Sequence, residues 1–295
     1  MGRVRFGVFC VLLLACDDGG DVARDAAPRH DASRDAGPSE DASRDAAPSE
    51  DAARDSASSD DASVAEDASE AGTETRPLRV VAFTRTAAFR HSTIEPALRT
   101  LNGITSKHSA TLRNTEDPAE LIALLPETEV VVFLMTTGDV LDDTQQTAFE
   151  AFIRAGGGFL GVHSASDTEY QWPFYGTLIG AWFDSHPGVQ PATLKHEATG
   201  SAVVNALPAR WERADEWYNF KTNPRGQVDV LLTLDETTYE GGTMGADHPI
   251  VWSRQGGAIG KGRSFYTALG HTSESWEEEI FIRHIEAGLL WAANR

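Results

Sequence analysis

The chain is poor in cysteine: its 295 residues include two, Cys10 and Cys16, and both lie in the N-terminal apolar segment. Everything after residue 16 has no thiol, which excludes disulfides, cysteine-ligated metal and a cysteine nucleophile from that part of the protein. Long apolar runs are missing too. The N-terminal one, Phe6 to Ala15, is about half of the roughly 20 residues that a bilayer-spanning helix needs. Basic charge is scarce, with 25 Lys and Arg against 45 Asp and Glu and a net charge of −20. Such a chain repels a phosphate backbone, so nucleic acid is not expected as a partner. Residues 17–76 contain no aromatic side chain, and Val22 and Val64 are their only larger aliphatics. A segment of this kind cannot bury enough apolar surface to offset the entropy of ordering it.

These absences divide the chain into three parts. Arg3 and Arg5 precede the short apolar run, which ends Leu13-Leu14-Ala15-Cys16. This pattern resembles a bacterial lipobox. Residues 1–16 are therefore expected to be a lipoprotein signal, with Cys16 lipidated and the protein exported and membrane-anchored. Each acyl methylene buried in the bilayer contributes about 0.8 kcal/mol. Residues 17–76 hold 18 acidic residues against 6 arginines and repeat every ten residues, as in Asp41-Ala-Ser-Arg44-Asp-Ala-Ala-Pro48. This reads as an extended, self-repelling linker. Residues 77–295, with 17 basic and 27 acidic residues, are long enough for one ordinary domain.

Within the domain, apolar strands alternate with helices. Leu78–Phe83, Ala110–Arg113, Glu129–Leu134 and Gly158–Val162 read as strands. Ser92–Lys107, Pro118–Leu125 and Thr144–Ala155 carry helical spacing between them. That alternation predicts an α/β fold, a parallel sheet with helices on both faces. The second half is richer in loops. It has a short helix at 172–181, strands at 189–195, 228–232, 250–253 and 264–269, and a closing helix over Phe281–Ala293. Ligands in open α/β sheets bind beyond the carboxyl ends of the strands. The polar segments fall there: Thr84 to His91, Met135 to Asp139, and His163 to Asp167.

The domain has eight histidines, and five of them, His91, His163, His186, His248 and His271, stand in loops or at strand ends. His108, His196 and His284 read as surface or packing residues. A histidine near its usual pKa of about 6.5 can take and return a proton at neutral pH. His163, Glu216, His186 and His271 are the expected catalytic group, and Arg90, His91, Asp167, Trp217, Tyr218 and His248 the expected substrate contacts. Trp217 and Tyr218, beside Glu216, are expected to be exposed and to pack on sugar C–H surfaces. No cofactor is expected. The open alternative is a divalent metal, for which His163, His186 and Glu216 would be the ligands, with Asp167 or Asp184 as other carboxylates. Close ligand spacing such as His-x-x-x-His is absent. So are a dinucleotide-binding glycine fingerprint and a P-loop.

Seven segments in order carry a family resemblance: Phe83 to His91, Thr137 to Leu141, Gly156 to His163, Ser185-His-Pro187, Asp215-Glu-Trp-Tyr218, Asp247-His-Pro249, and Gly262 to Tyr266 with Leu269-Gly-His271. They resemble the ThuA-like, trehalose-utilisation family over nearly the whole domain. The resemblance implies a flavodoxin-like fold, a variant of the class I glutamine amidotransferase fold, and a small-molecule carbohydrate of the trehalose or keto-sugar type as partner. His163 stands where an amidotransferase would carry its cysteine, at a strand-to-loop corner of the kind that exposes nucleophiles. Glutamine hydrolysis by the cysteine route is thereby excluded, unless Ser164 substitutes as nucleophile. Three readings stay open: acid–base chemistry on a carbohydrate, a non-catalytic sugar-binding or structural module, and a metal-dependent hydrolase.

Overall fold

The apolar runs at Arg79–Phe83 (β1), Val130–Leu134 (β3) and Gly158–Val162 (β4) form buried parallel strands, as continuous hydrophobic stretches do when both faces of a sheet are covered. They belong to a computed structural model that describes residues 76–295 apart from 198, 199 and 206. The expected signal segment, the lipidation site Cys16 and the linker up to residue 75 lie outside the described residues.

Between these strands come α1 (Ile94–Lys107), β2 (Thr111–Thr115), α2 (Pro118–Leu124) and α3 (Asp143–Ala155). The second half contributes α4 (Pro173–Ile179), β5 (Phe183–Ser185), β6 (Gln190–His196), α5 (Ala202–Asn205) and β7 (Arg210–Asp215). It continues with β8 (Asn219–Phe220), β9 (Asp229–Leu234), β10 (Pro249–Gln255), β11 (Arg263–Thr267) and α6 (Glu279–Ala292).

Nine strands join in one sheet in the order β2-β1-β3-β4-β11-β10-β9-β6-β7, while β5 and β8 pair separately. The first five run parallel. From β10 onward each strand is antiparallel to its neighbours. The fold is α/β and flavodoxin-like. The sequence pattern predicted the parallel half, and the later strands extend the same sheet as a mixed one. The chain reverses its strand order around β1, with β2 on one side and β3 on the other, and this switch point opens a crevice beyond the strands' carboxyl ends.

Local signals set the helix ends. The Asp142 side chain and the Gln145 side chain form a reciprocal capping box at the start of α3. Asp117 caps α2 through Ala119 N, and Pro118 occupies the first turn. Thr93 precedes α1 without making a side-chain cap; its hydroxyl donates to Met135 Sδ.

Two glycines of β4 show how the helices seat. Gly158 and Gly161 are three residues apart, so they face opposite sides of the sheet. A Cβ at Gly158 would lie 2.5 Å from the Ala292 carbonyl oxygen of α6, and one at Gly161 would lie 2.9 Å from Ile179 Cδ1 of α4. Helices therefore cover both faces. On the α4 side Phe133, Phe149, Phe159 and Tyr175 meet ring to ring at 5.2–6.3 Å. Such pairs contribute about 0.5–1.5 kcal/mol each beyond their area burial.

Sequence patterning missed β7. Its inward positions are Trp211, Arg213 and Asp215, so its alternation of buried and exposed residues is not an alternation of apolar and polar ones.

Candidate active site

His163 directly follows β4, and its φ of +52° lies in the left-handed region. For a non-glycine residue this conformation costs about 1–3 kcal/mol and persists only where its surroundings enforce it. Tyr266 Oη donates to the His163 carbonyl at 2.9 Å, and the ring's Nδ1 donates to the Ala268 carbonyl at 2.8 Å. A carbonyl oxygen only accepts, so Nδ1 carries the hydrogen. In the neutral ring Nε2 is then a bare lone pair.

That lone pair faces two other donor atoms. His271 Nδ1 lies 3.2 Å from His163 Nε2, and Glu216 Oε2 lies 3.4 Å from it. His271 Nδ1 and Glu216 Oε2 are themselves 3.2 Å apart. His91, from the loop after β1, completes the group. Its ring stands edge-on to those of His163 and His271 at 4.8 and 5.2 Å, and its Nδ1 meets the Ser164 hydroxyl at 3.4 Å. One ligand-capable atom each from His91, His163, Glu216 and His271 lies within 4.8 Å of all the others. The second carboxylate oxygen of Glu216 pairs with His186 Nδ1 at 3.1 Å.

His163 is fully buried and His91 and Glu216 are nearly so. The site opens through His271 and His186, whose side chains are 26% and 40% exposed. Burial, reinforced by the neighbouring His163 and His271, holds His91 near a pKa of about 3, so it is neutral at physiological pH. Burial pushes Glu216 upward, but the adjacent His163 and His271 imidazoles outweigh that and hold it well below the usual carboxylate range. His271 moves the other way: the Glu216 hydrogen bond raises its pKa against the effect of burial. The outcome is an anionic carboxylate beside an imidazole that protonates readily.

Asp215 braces this arrangement. Fully buried, it accepts the Glu216 and His271 backbone N–H groups on one oxygen, each at 3.0 Å, and Gly270 N on the other at 2.8 Å. Arg213 neutralises it at 3.2 Å. One carboxylate thus fixes two segments 55 residues apart. No role for Asp215 was legible in the sequence beyond its place before Glu216.

The remaining expected contacts scatter. Arg90 donates to the Thr84 carbonyl and pairs with Glu116, and makes no hydrogen bond to the cluster. Asp167 accepts from Tyr170 Oη, and burial raises its pKa. His248 is buried behind the site, bound to Glu236 and to the Tyr218 carbonyl. His186 touches Glu216 but lies outside the four-residue donor group, where His91 and His271 stand in its place.

The expected exposure of Trp217 and Tyr218 is wrong. Both are buried, because the segment folds inward: the Trp217 indole donates to the Gln190 carbonyl and the Tyr218 ring lies 4.3 Å from that of His163. The exposed aromatic is Phe89, at 65% exposure, with its ring edge-on to His91 at 4.9 Å. Thr137 holds this loop outward by accepting from Ala87 N and donating its hydroxyl to the Phe89 carbonyl. The sequence offered one signal for it, an aromatic in the polar loop after β1.

A cavity of about 830 Å³ lies elsewhere, between Leu125, Phe152, Gly157 and Ala293, and contains no histidine.

The family model described as ThuA, trehalose utilisation, matches residues 79–292. Among solved structures, a ThuA-like protein from Bacteroides uniformis superposes with a TM-score of 0.63 at 22% identity, covering 76% of this chain and 94% of that one. A ThuA-like protein from Parabacteroides merdae gives 0.61 at 19% identity, covering 74% and 90%. Likeness at these identities speaks for the fold. No curated protein matches the chain.

Proposed function

The chain belongs to the ThuA family, and on that premise we propose that its domain is an enzyme that processes a trehalose-type carbohydrate or keto-sugar at the His91–His163–Glu216–His271 cluster. The observation that carries the reading is the convergence of these four side chains, from four distant segments, at the switch-point end of the sheet. A merely structural role would not require so many titratable groups in one buried place.

The chemistry is acid–base. Glu216 presents one oxygen to His271 and the other to His186, the two imidazoles that reach solvent. A carboxylate shared by two accessible imidazoles can give and take a proton at a sugar hydroxyl, at a C–H beside a carbonyl, or at a glycosidic oxygen. Phe89 supports the substrate class, since an exposed ring pinned at the rim is a ready surface for the C–H face of a pyranose. With no cysteine after residue 16, the class I amidotransferase-like fold works here without a thioester. The Leu13-Leu14-Ala15-Cys16 pattern supports an exported, lipid-anchored protein; a Cys16→Ser chain should lose membrane association.

The test is turnover of trehalose and a keto-trehalose by the full chain and by its Glu216→Gln variant. Loss of general acid–base function costs about 10²–10⁴ in rate. A wild-type chain that binds these sugars without converting them would instead establish a binding module.

A further inference from the structure

We infer that the His91–His163–Glu216–His271 cluster binds one divalent transition-metal ion of the zinc type, through one nitrogen of each imidazole and the Glu216 carboxylate. The role of such an ion in sugar chemistry rests on the reading above, with proton transfer then falling to His186 and the Glu216 oxygen it touches; its binding does not.

The geometry carries this. Tetrahedral zinc has bonds of about 2.0–2.2 Å, so its ligand atoms stand about 3.3–3.6 Å apart. His163 Nε2, His271 Nδ1 and Glu216 Oε2 form a triangle with sides of 3.2, 3.4 and 3.2 Å. That is close to one face of such a tetrahedron. His91 offers the fourth atom, all four lying within 4.8 Å of one another. The edge-on ring packing holds His91 beside the triangle, from which it can close the fourth corner.

The donor chemistry agrees. His163 donates Nδ1–H to the Ala268 carbonyl, which aims its Nε2 lone pair into the triangle. An outer hydrogen bond of this kind orients most metal-ligating histidines. Glu216 has ion-pair partners of one type among the described residues, namely histidines, and no Lys or Arg neutralises it. Asp215 forms the outer layer, holding the backbones of two ligands on a single oxygen. Three nitrogens and one carboxylate suit zinc, cobalt or nickel, and suit magnesium or calcium poorly. His186 sits against the unshared oxygen of Glu216 and is not a ligand in this scheme.

The test uses the full chain, stripped with a chelator and titrated with Co²⁺ and with Zn²⁺ in the absence of sugar. We expect one equivalent bound, visible Co²⁺ absorption of a low-coordinate nitrogen–oxygen site, and a rise in Tm. His271→Ala and Glu216→Gln should each weaken binding by at least about tenfold, while His186→Ala should leave it unchanged. Far-UV circular dichroism of each variant verifies that it is folded. Stoichiometry below one tenth, or affinity that depends on His186 and not on His271, would overturn the site. Sugar turnover that survives chelation would overturn the ion's part in the chemistry and keep the carbohydrate reading, while the titration alone decides the site. Stoichiometric metal with no turnover of any sugar would do the reverse.

Discussion

Acid should destabilise this domain through a histidine outside the proposed site. His284 on α6 is fully buried, with Nε2 hydrogen-bonded to the Thr267 hydroxyl and Nδ1 without a hydrogen-bond partner. Burial, and then the nearby Arg213 charge, depress its pKa from 6.5 to about 3. Between those values the unfolded chain binds the proton and the native state does not. Stability from this residue is therefore complete above pH 6.5 and is lost as the pH falls toward 3. Moving from pH 8 to pH 5 removes about 2 kcal/mol by this route alone, a large share of the 5–15 kcal/mol typical of a domain. Phenylalanine fits the site, because the ring already packs among Trp211, Phe265 and Phe281 at 6.1, 5.5 and 6.1 Å. Urea unfolding of wild type and His284→Phe at both pH values isolates the effect. The variant should lose about 2 kcal/mol less than wild type between pH 8 and pH 5. Equal losses in the two proteins would refute the assignment.

Three further outcomes are expected. Phe89→Ala should raise KM for the sugar about 2- to 10-fold, the equivalent of about 0.5–1.5 kcal/mol of ring contact, while kcat and Tm stay put because the ring is mostly exposed; an unchanged KM removes the platform. Asp215→Asn should destabilise the domain by about 1–3 kcal/mol, because it weakens charge-assisted hydrogen bonds in a buried network while Arg213 keeps Glu278, and should lower kcat as the Glu216 and His271 backbones loosen; native-like urea midpoints would contradict this. Arg90→Ala should cost less than about 1 kcal/mol, as exposed ion pairs do, with KM unaltered; a tenfold rise in KM would return Arg90 to the site.

The parallel half of the fold was legible because β1, β3 and β4 are largely apolar runs and α2 and α3 carry their own caps. The antiparallel extension was harder to read. β7 hides its inner face behind Arg213 and Asp215, and β5 and β8 are too short to show any period. The site was legible in part for a similar reason. His163 and His91 follow strands whose carboxyl ends could be placed from sequence. Glu216 and His271 follow β7 and β11, and their approach depends on Asp215 tying the two segments together. Whether an aromatic side chain faces solvent is decided by loop path, not by residue type. Trp217 turns inward to Gln190 O, while Thr137 holds Phe89 out.

The position of a bound sugar tests the central claim most directly. A crystal of the full chain or its domain soaked in trehalose or its keto derivative should show the ring against Phe89, with a hydroxyl or carbonyl oxygen within hydrogen-bond reach of His271 or Glu216. Sugar seated instead in the apolar cavity beside Phe152 and Ala293, with the histidine cluster untouched, would contradict the account.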